Sequence, residues 1–235
     1  AFEQSCIQSA VQKLKPFKND GLLPLNNELT DLLIMGTSET QSINGFTKSF
    51  TLNYIDWSCI CKENKNERKT GKNVFYVVPE FVVERVRSEK TIRPDIVLFV
   101  NGIPLGVIEC KSPSEELEQA VTQNIRNQTE TYIPHLFMYC QILMAVNKNG
   151  AKYATVGTQS KFWNIWKEPD ISPLLKIIKN PTEQDKTIFS LCSKDCFLDL
   201  IHGFTVFDVG TKKIARYQQY FSIKATLERV RCIGN

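Results

Sequence analysis

The sequence predicts an α/β fold with a central mixed β-sheet flanked by helices. Two apolar runs, 96–100 and 103–108, flank Asn101-Gly102, a strong short-range hairpin signal. Downstream, Leu117, Val121 and Ile125 recur at helical spacing within 115–131. A second pair of strand-like runs, 137–146 and 151–156, flanks the turn Asn147-Lys148-Asn149-Gly150.

The central hairpin carries charges where burial makes them costly. Asp95 opens its first strand, and Glu109 and Lys111 close the second. Lys111, two residues after Glu109, leaves the same face of that strand. A two-residue turn would oppose Val100 to Ile103 and point Asp95 away from Glu109. A three-residue loop, with Gly102 in the left-handed position of a bulge, pairs Phe99 with Ile103 and brings Asp95, Val107, Glu109 and Lys111 to one face. If the acids share a metal, the bulged loop is expected. Pro104, which cannot donate to the ladder, suits a disturbed strand start.

At 235 residues the chain is long enough for one large domain, or one domain with an appendage. A net charge of +4 permits a polyanionic partner without demanding one. The eight cysteines are scattered, with no pair of Cys-x-x-Cys units, which points to reduced thiols in a cytoplasmic protein rather than a disulfide framework. Cys192 and Cys196 could be half a zinc site, but they lack a second ligand pair. No apolar run reaches membrane-spanning length, and Glu3 and Gln4 are unlike a signal peptide. The chain reads as a piece of something longer.

In order, the stripe Phe2, Cys6, Ile7, Ala10, Val11 and Leu14 predicts a helix over 2–15, with Glu3 near its start. Glu3 there either favours the helix dipole or reaches the metal site. Residues 17–50 are poorly periodic apart from a short helix at 27–34; 47–55 reads as a strand, and 61–72 as an exposed loop. Residues 74–78 and 81–86 supply one strand or two. The amide-rich run Gln123, Asn124, Arg126, Asn127, Gln128 is either a wet helix face or a set of donors beside the metal site. Phe162, Trp163 and Trp166 read as core or a packing surface. Residues 169–186 read as a linker or edge loop, 187–200 as a helix, 204–207 as a strand and 214–230 as a basic amphipathic helix. His135 and His202 lack a Ser or Cys partner at any recognisable spacing and read as structural.

An Asp followed fourteen residues later by Glu-x-Lys is the layout of the PD-(D/E)xK nuclease superfamily. Two carboxylates and the carbonyl of Cys110 can hold Mg²⁺ against a phosphodiester oxygen. Lys111 can position or deprotonate the attacking water, or neutralise the charge that develops. The surrounding residues, Arg93-Pro94-Asp95-Ile96-Val97-Leu98-Phe99-Val100-Asn101-Gly102-Ile103-Pro104-Leu105 and Ile108-Glu109-Cys110-Lys111-Ser112-Pro113, closely resemble the nuclease domain of HsdR, the restriction (motor) subunit of type I restriction-modification enzymes. The helix 119–128 and the run Leu136-Phe137-Met138-Tyr139-Cys140-Gln141 extend the resemblance. Residues 204–225 resemble the family's lead-in to a helicase motor.

The resemblance implies a restriction-endonuclease-like core and a Mg²⁺-dependent (or Mn²⁺-dependent) endonuclease acting on double-stranded DNA. Asp95 and Glu109 are then metal ligands, Lys111 the catalytic lysine, and Gln123 the Gln of a Gln-x-x-x-Tyr motif. Asn127 stands where that Tyr is expected, and Gln128 with Tyr132 restores the spacing about one turn further on. Glu3 resembles an N-terminal helix acid that completes some superfamily sites. Arg216 and Gln219 match residues that read the adenine of ATP. The implied organisation is a nuclease domain at 1–170, a helical linker or edge at 171–203, and the motor lead-in at 204–235. No Gly-x-x-x-x-Gly-Lys-Ser/Thr occurs, so ATP belongs to the full-length subunit only. The implied partners are duplex DNA and the modification and specificity subunits, with no membrane. Three alternatives stay open: a repair or junction-resolving nuclease of the superfamily, a non-catalytic DNA-binding or assembly module of the same fold, and acids that merely pair with Arg93 and Lys111.

Overall fold

A computed structural model describes residues 3–15, 21–59 and 72–233; the expected loop at 61–72 lies, but for Lys72, outside them. In chain order, α1 (Gln4–Lys13) and α2 (Leu22–Met35) precede a ribbon of β1 (Thr37–Ile43) and β2 (Phe46–Leu52). After β3 (Phe75–Pro79) come the short β4 (Val83–Glu84) and β5 (Thr91–Ile92), then β6 (Ile96–Val100) and β7 (Ile103–Cys110). Next are α3 (Leu117–Asn127), α4 (Pro134–Phe137), β8 (Ile142–Asn147) and β9 (Gly150–Ala154). The C-terminal part holds α5 (Ser172–Leu175), α6 (Glu183–Leu191), α7 (Lys194–Gly203), the hairpin β10 (Thr205–Asp208) and β11 (Thr211–Ile214), and α8 (Tyr217–Ile233).

The central sheet has five strands in the order β3-β6-β7-β8-β9. All neighbours are antiparallel except β7 and β8, which run parallel. A parallel pair needs a crossover, and α3 with α4 supplies it. This is the mixed sheet flanked by helices that the sequence predicts. On one face Val97, Val107, Leu143 and Ala145 pack with Ala120, Val121 and Phe137 of the crossover. On the other, Ile108, Met144 and Val146 pack with Leu191, Phe197 and Ile201 of α6 and α7. Gly106 permits that second layer: a Cβ there would meet the Phe197 ring at 3.2 Å and the Ile142 carbonyl at 3.3 Å.

Several expectations change in detail. The helix expected at 27–34 begins at Leu22, and the region read as aperiodic also contains β1. The apolar run at 137–146 is not one strand: Pro134 at the first helical position starts a short helical turn, and strand geometry begins only at Ile142. The single helix expected at 187–200 is two. Thr182 and Asp185 form a capping box at α6, and Ser193 caps α7 by accepting from Cys196 N at 3.4 Å. The strand expected at 204–207 gains a partner at 211–214, and the helix expected from 214 begins only at Tyr217. Trp163 and Trp166 are buried, whereas Phe162 is 55% exposed.

One buried charge ties the C-terminal hairpin to the core. Lys212 of β11 is 2% exposed, and its ammonium donates to Asn26 Oδ1 at 2.7 Å, to Thr30 Oγ1 at 3.2 Å and to Gln141 Oε1. Asn26 in turn donates to the carbonyls of Met138 and Cys140, both at 2.8 Å. A buried ammonium costs free energy unless acceptors surround it, and here three side chains do.

Candidate active site

The site is built on the β6–β7 hairpin, whose register differs from the expected one. The turn is the two-residue kind, with Asn101 and Gly102 both at positive φ (52° and 81°) and Val100 opposite Ile103. The irregularity lies one step further in. Phe99 pairs with Pro104 and Leu98 with Gly106, so Leu105 is an extra residue, and from there Ile96 opposes Ile108. The bulge does what the three-residue loop was expected to do, because one inserted residue flips the face of everything beyond it. Asp95, just before β6, is thereby carried to Glu109.

The contacts follow. Asp95 Oδ2 accepts from Cys110 N at 2.7 Å, which holds the aspartate against the end of β7. Glu109 is fully buried. Its Oε2 accepts from Gln123 Nε2 at 2.6 Å and its Oε1 from Asn127 Nδ2 at 3.1 Å. Lys111 Nζ donates to Gln123 Oε1 at 2.7 Å, so one amide bridges the lysine and the glutamate. Gln123 and Asn127, four apart on α3, share a helix face above the sheet. Glu118 in the first turn of α3 and Arg126 in its last suit the helix dipole.

The two carboxylates of Asp95 and Glu109 face each other. Burial, then the charge of Asp95, pushes Glu109 up to about 8, with Lys111 pulling the other way. The Cys110 thiol is also raised, by burial first and then by the two acids. Among the described residues neither acid forms an ion pair, and Lys111 reaches an amide rather than a carboxylate. This removes the alternative that the acids only pair with Arg93 and Lys111.

Of the residues singled out from sequence, the fold brings together Asp95, Glu109, Cys110, Lys111 and Gln123. Glu3 stands apart. It occupies the N-cap position of α1 without a side-chain cap, its backbone N–H donates to Gln41 Oε1 at 3.0 Å, and no group of three acids, histidines or cysteines suited to a metal occurs among the described residues. Cys192 and Cys196 therefore form no zinc site among those residues; the Cys192 thiol lies 3.7 Å from Met144 Sδ. Arg216 and Gln219 line a separate cleft of about 770 Å³, together with Phe162, Phe204, Ile214 and Ile223. There Gln219 Oε1 accepts from Arg216 N at 2.8 Å. Gln128 and Tyr132, the displaced copy of the Gln-x-x-x-Tyr spacing, are occupied elsewhere: Gln128 accepts from Gly157 N, and Tyr132 lies beneath arginines. Asn127, which breaks that motif in sequence, binds Glu109; an asparagine in an amide-rich run carries no signal that separates it from its neighbours.

The family description "Type I restriction enzyme R protein N terminus" matches residues 2–162. The chain belongs to that family. The type I restriction enzyme HindI endonuclease subunit of Haemophilus influenzae is 28% identical over 236 residues, covering 96% of this chain and 21% of that protein. A Methanocaldococcus jannaschii protein with "type I restriction enzyme MjaIXP endonuclease subunit" in its name is 27% identical over 214 residues, covering 85% of this chain and 20% of its own length. A second protein of that organism, whose name contains MjaVIIIP, is 31% identical over 167 residues, 68% of this chain and 15% of that protein. The chain thus spans about a fifth of the length of the first two relatives. No helix among its described residues is long and apolar enough to cross a membrane.

Proposed function

We propose that this chain is a metal-dependent nuclease domain that hydrolyses phosphodiester bonds of double-stranded DNA as part of a cytoplasmic type I restriction enzyme. The observation that carries the reading is the closed set Asp95–Glu109–Gln123–Lys111. In it the Gln123 amide ties Glu109 to Lys111, and the Cys110 N–H holds Asp95 beside them at the end of β7.

The donor set fits a hard divalent cation. Two apposed carboxylates, one fully buried and raised to about 8, need either a shared proton or a cation between them. Asp95, Glu109 and the Cys110 carbonyl would hold Mg²⁺ or Mn²⁺, with water and substrate oxygens completing the shell. When bound, such an ion lowers the pKa of a water and stabilises charge on the phosphoryl oxygens.

The chain's own residues do the rest. Gln123 and Asn127 fix both oxygens of Glu109, so the carboxylate does not reorient when its charge changes. Gln123 also aims the Lys111 ammonium along the face that Glu109 occupies. From there Lys111 orients the attacking water or stabilises the developing negative charge. The Cys110 N–H holds Asp95 through its Oδ2.

In the whole subunit we place this domain beside a motor that couples cutting to ATP-driven DNA movement, with Arg216 and Gln219 toward the adenine and the modification and specificity subunits as partners. The test is cleavage by the assembled complex with duplex DNA, ATP and Mg²⁺. Wild type should cut; Asp95→Ala and Lys111→Ala should hydrolyse ATP at the wild-type rate and not cut. A variant that cuts as fast as wild type would overturn the site. A wild-type complex that turns over ATP without cutting would overturn the nuclease reading.

A further inference from the structure

We propose that Arg85 and Arg126, gathered over the ring of Tyr132, form a binding site for a DNA backbone phosphate beside the carboxylates. The proposal deepens the nuclease reading and rests on it for the identity of the ligand.

Both guanidinium groups lie over one ring, 4.5 Å (Arg85) and 5.0 Å (Arg126) from its centroid. The two charges are therefore within about 10 Å of each other, the Debye length at about 0.1 M salt. Like charges held that close normally share a counter-charge. Glu84, Glu89 and Glu130 belong to the same segments, yet among the described residues no carboxylate pairs with either arginine. A phosphate would supply the missing charge.

The site is also built rather than incidental. Arg85 leaves the β4–β5 hairpin and donates Nε and Nη2 to the Thr131 carbonyl at 3.1 and 2.9 Å. Val86 N donates to the Tyr132 carbonyl at 2.9 Å, which pins the hairpin to the turn after α3. Each guanidinium keeps unused N–H groups, and a planar fork already ordered on an aromatic ring loses little freedom when it takes a phosphate.

Position links this pad to the chemistry. Arg126 Nη2 lies 3.4 Å from Asn127 Oδ1, and Asn127 Nδ2 donates to Glu109. The same hairpin carries Arg87 and Lys90, and Arg93 follows it on the way to Asp95. A duplex with a phosphate on this pad would have another phosphodiester nearer the carboxylates. Such contacts position a backbone without reading its sequence.

The test is the salt dependence of binding of a duplex oligonucleotide to this chain, with Ca²⁺ in place of Mg²⁺ to hold back cleavage. Wild type should lose affinity steeply as salt rises. R85Q/R126Q should flatten the slope of log K against log salt by about 0.9 for each phosphate contact removed. R85K/R126K keeps both charges and should restore the slope, which a mere loss of folding or packing would not allow. An R85Q/R126Q slope equal to wild type, or a wild type that binds no duplex, overturns the proposal. Cutting is read separately, in the assembled complex with Mg²⁺: wild type that binds with a steep slope but does not cut fails the nuclease reading alone, and an unchanged R85Q/R126Q slope fails the pad alone.

Discussion

Gln123 Nε2 lies 2.6 Å from Glu109 Oε2, while Gln123 Oε1 accepts from Lys111. A neutral side chain thus ties a buried carboxylate to an ammonium without joining them as an ion pair. The arrangement keeps the Lys111 ammonium off the Glu109 carboxylate.

Gln123→Ala should lower cleavage by about 10- to 100-fold, the usual cost of losing a residue that orients a metal ligand. Metal binding should weaken but persist, because Asp95 and Glu109 remain. Single-turnover cleavage by the assembled enzyme measures the first effect and metal titration the second. A wild-type rate would reduce Gln123 to a bystander.

The metal-free protein should show a pH signature from Glu109. Its folded pKa, about 8, is above the ordinary 4.5, so between these values the folded state holds a proton that the unfolded chain releases. The stability it contributes is fully present below 4.5 and is lost as pH climbs to about 8. Thermal midpoints across that range in EDTA should fall more steeply for wild type than for Glu109→Gln. Metal affinity should move the opposite way, rising toward pH 8 as the proton leaves.

Lys212 should give a slope of opposite sign. Burial pushes its ammonium from 10.5 down to about 7, so between these values the unfolded chain binds the extra proton and stability rises with pH. Lys212→Met should remove that rise in denaturant unfolding between those pH values. An unchanged slope in the variant would mean that the three acceptors around the ammonium offset its burial.

The hairpin and the crossover helix were legible because their signals are local: Asn101-Gly102 between apolar runs, and Leu117, Val121 and Ile125 at helical spacing. The pairing of Asp95 with Glu109 was legible as a requirement but not as a mechanism. The sequence marks Pro104 as disruptive, yet whether the extra residue falls in the turn or at Leu105 depends on how β7 packs on β8. Strand β1 was hidden because its inward residues, Thr37, Glu39 and Gln41, are polar. Glu39 is buried there only because Lys13 and Ser9 of α1 reach it. The 137–141 segment misled in the opposite direction, since a buried helical turn is as apolar as a strand. Tyr132 with its two arginines joins segments more than forty residues apart, which no local pattern reports.

The central claim is that Asp95 and Glu109 form one cation site, and calorimetric titration with Mn²⁺ tests it most directly. Wild type should bind one ion, with proton release below pH 8, and Glu109→Ala should lose that binding while keeping its fold. Equal binding by wild type and Glu109→Ala would place the metal elsewhere and contradict the account.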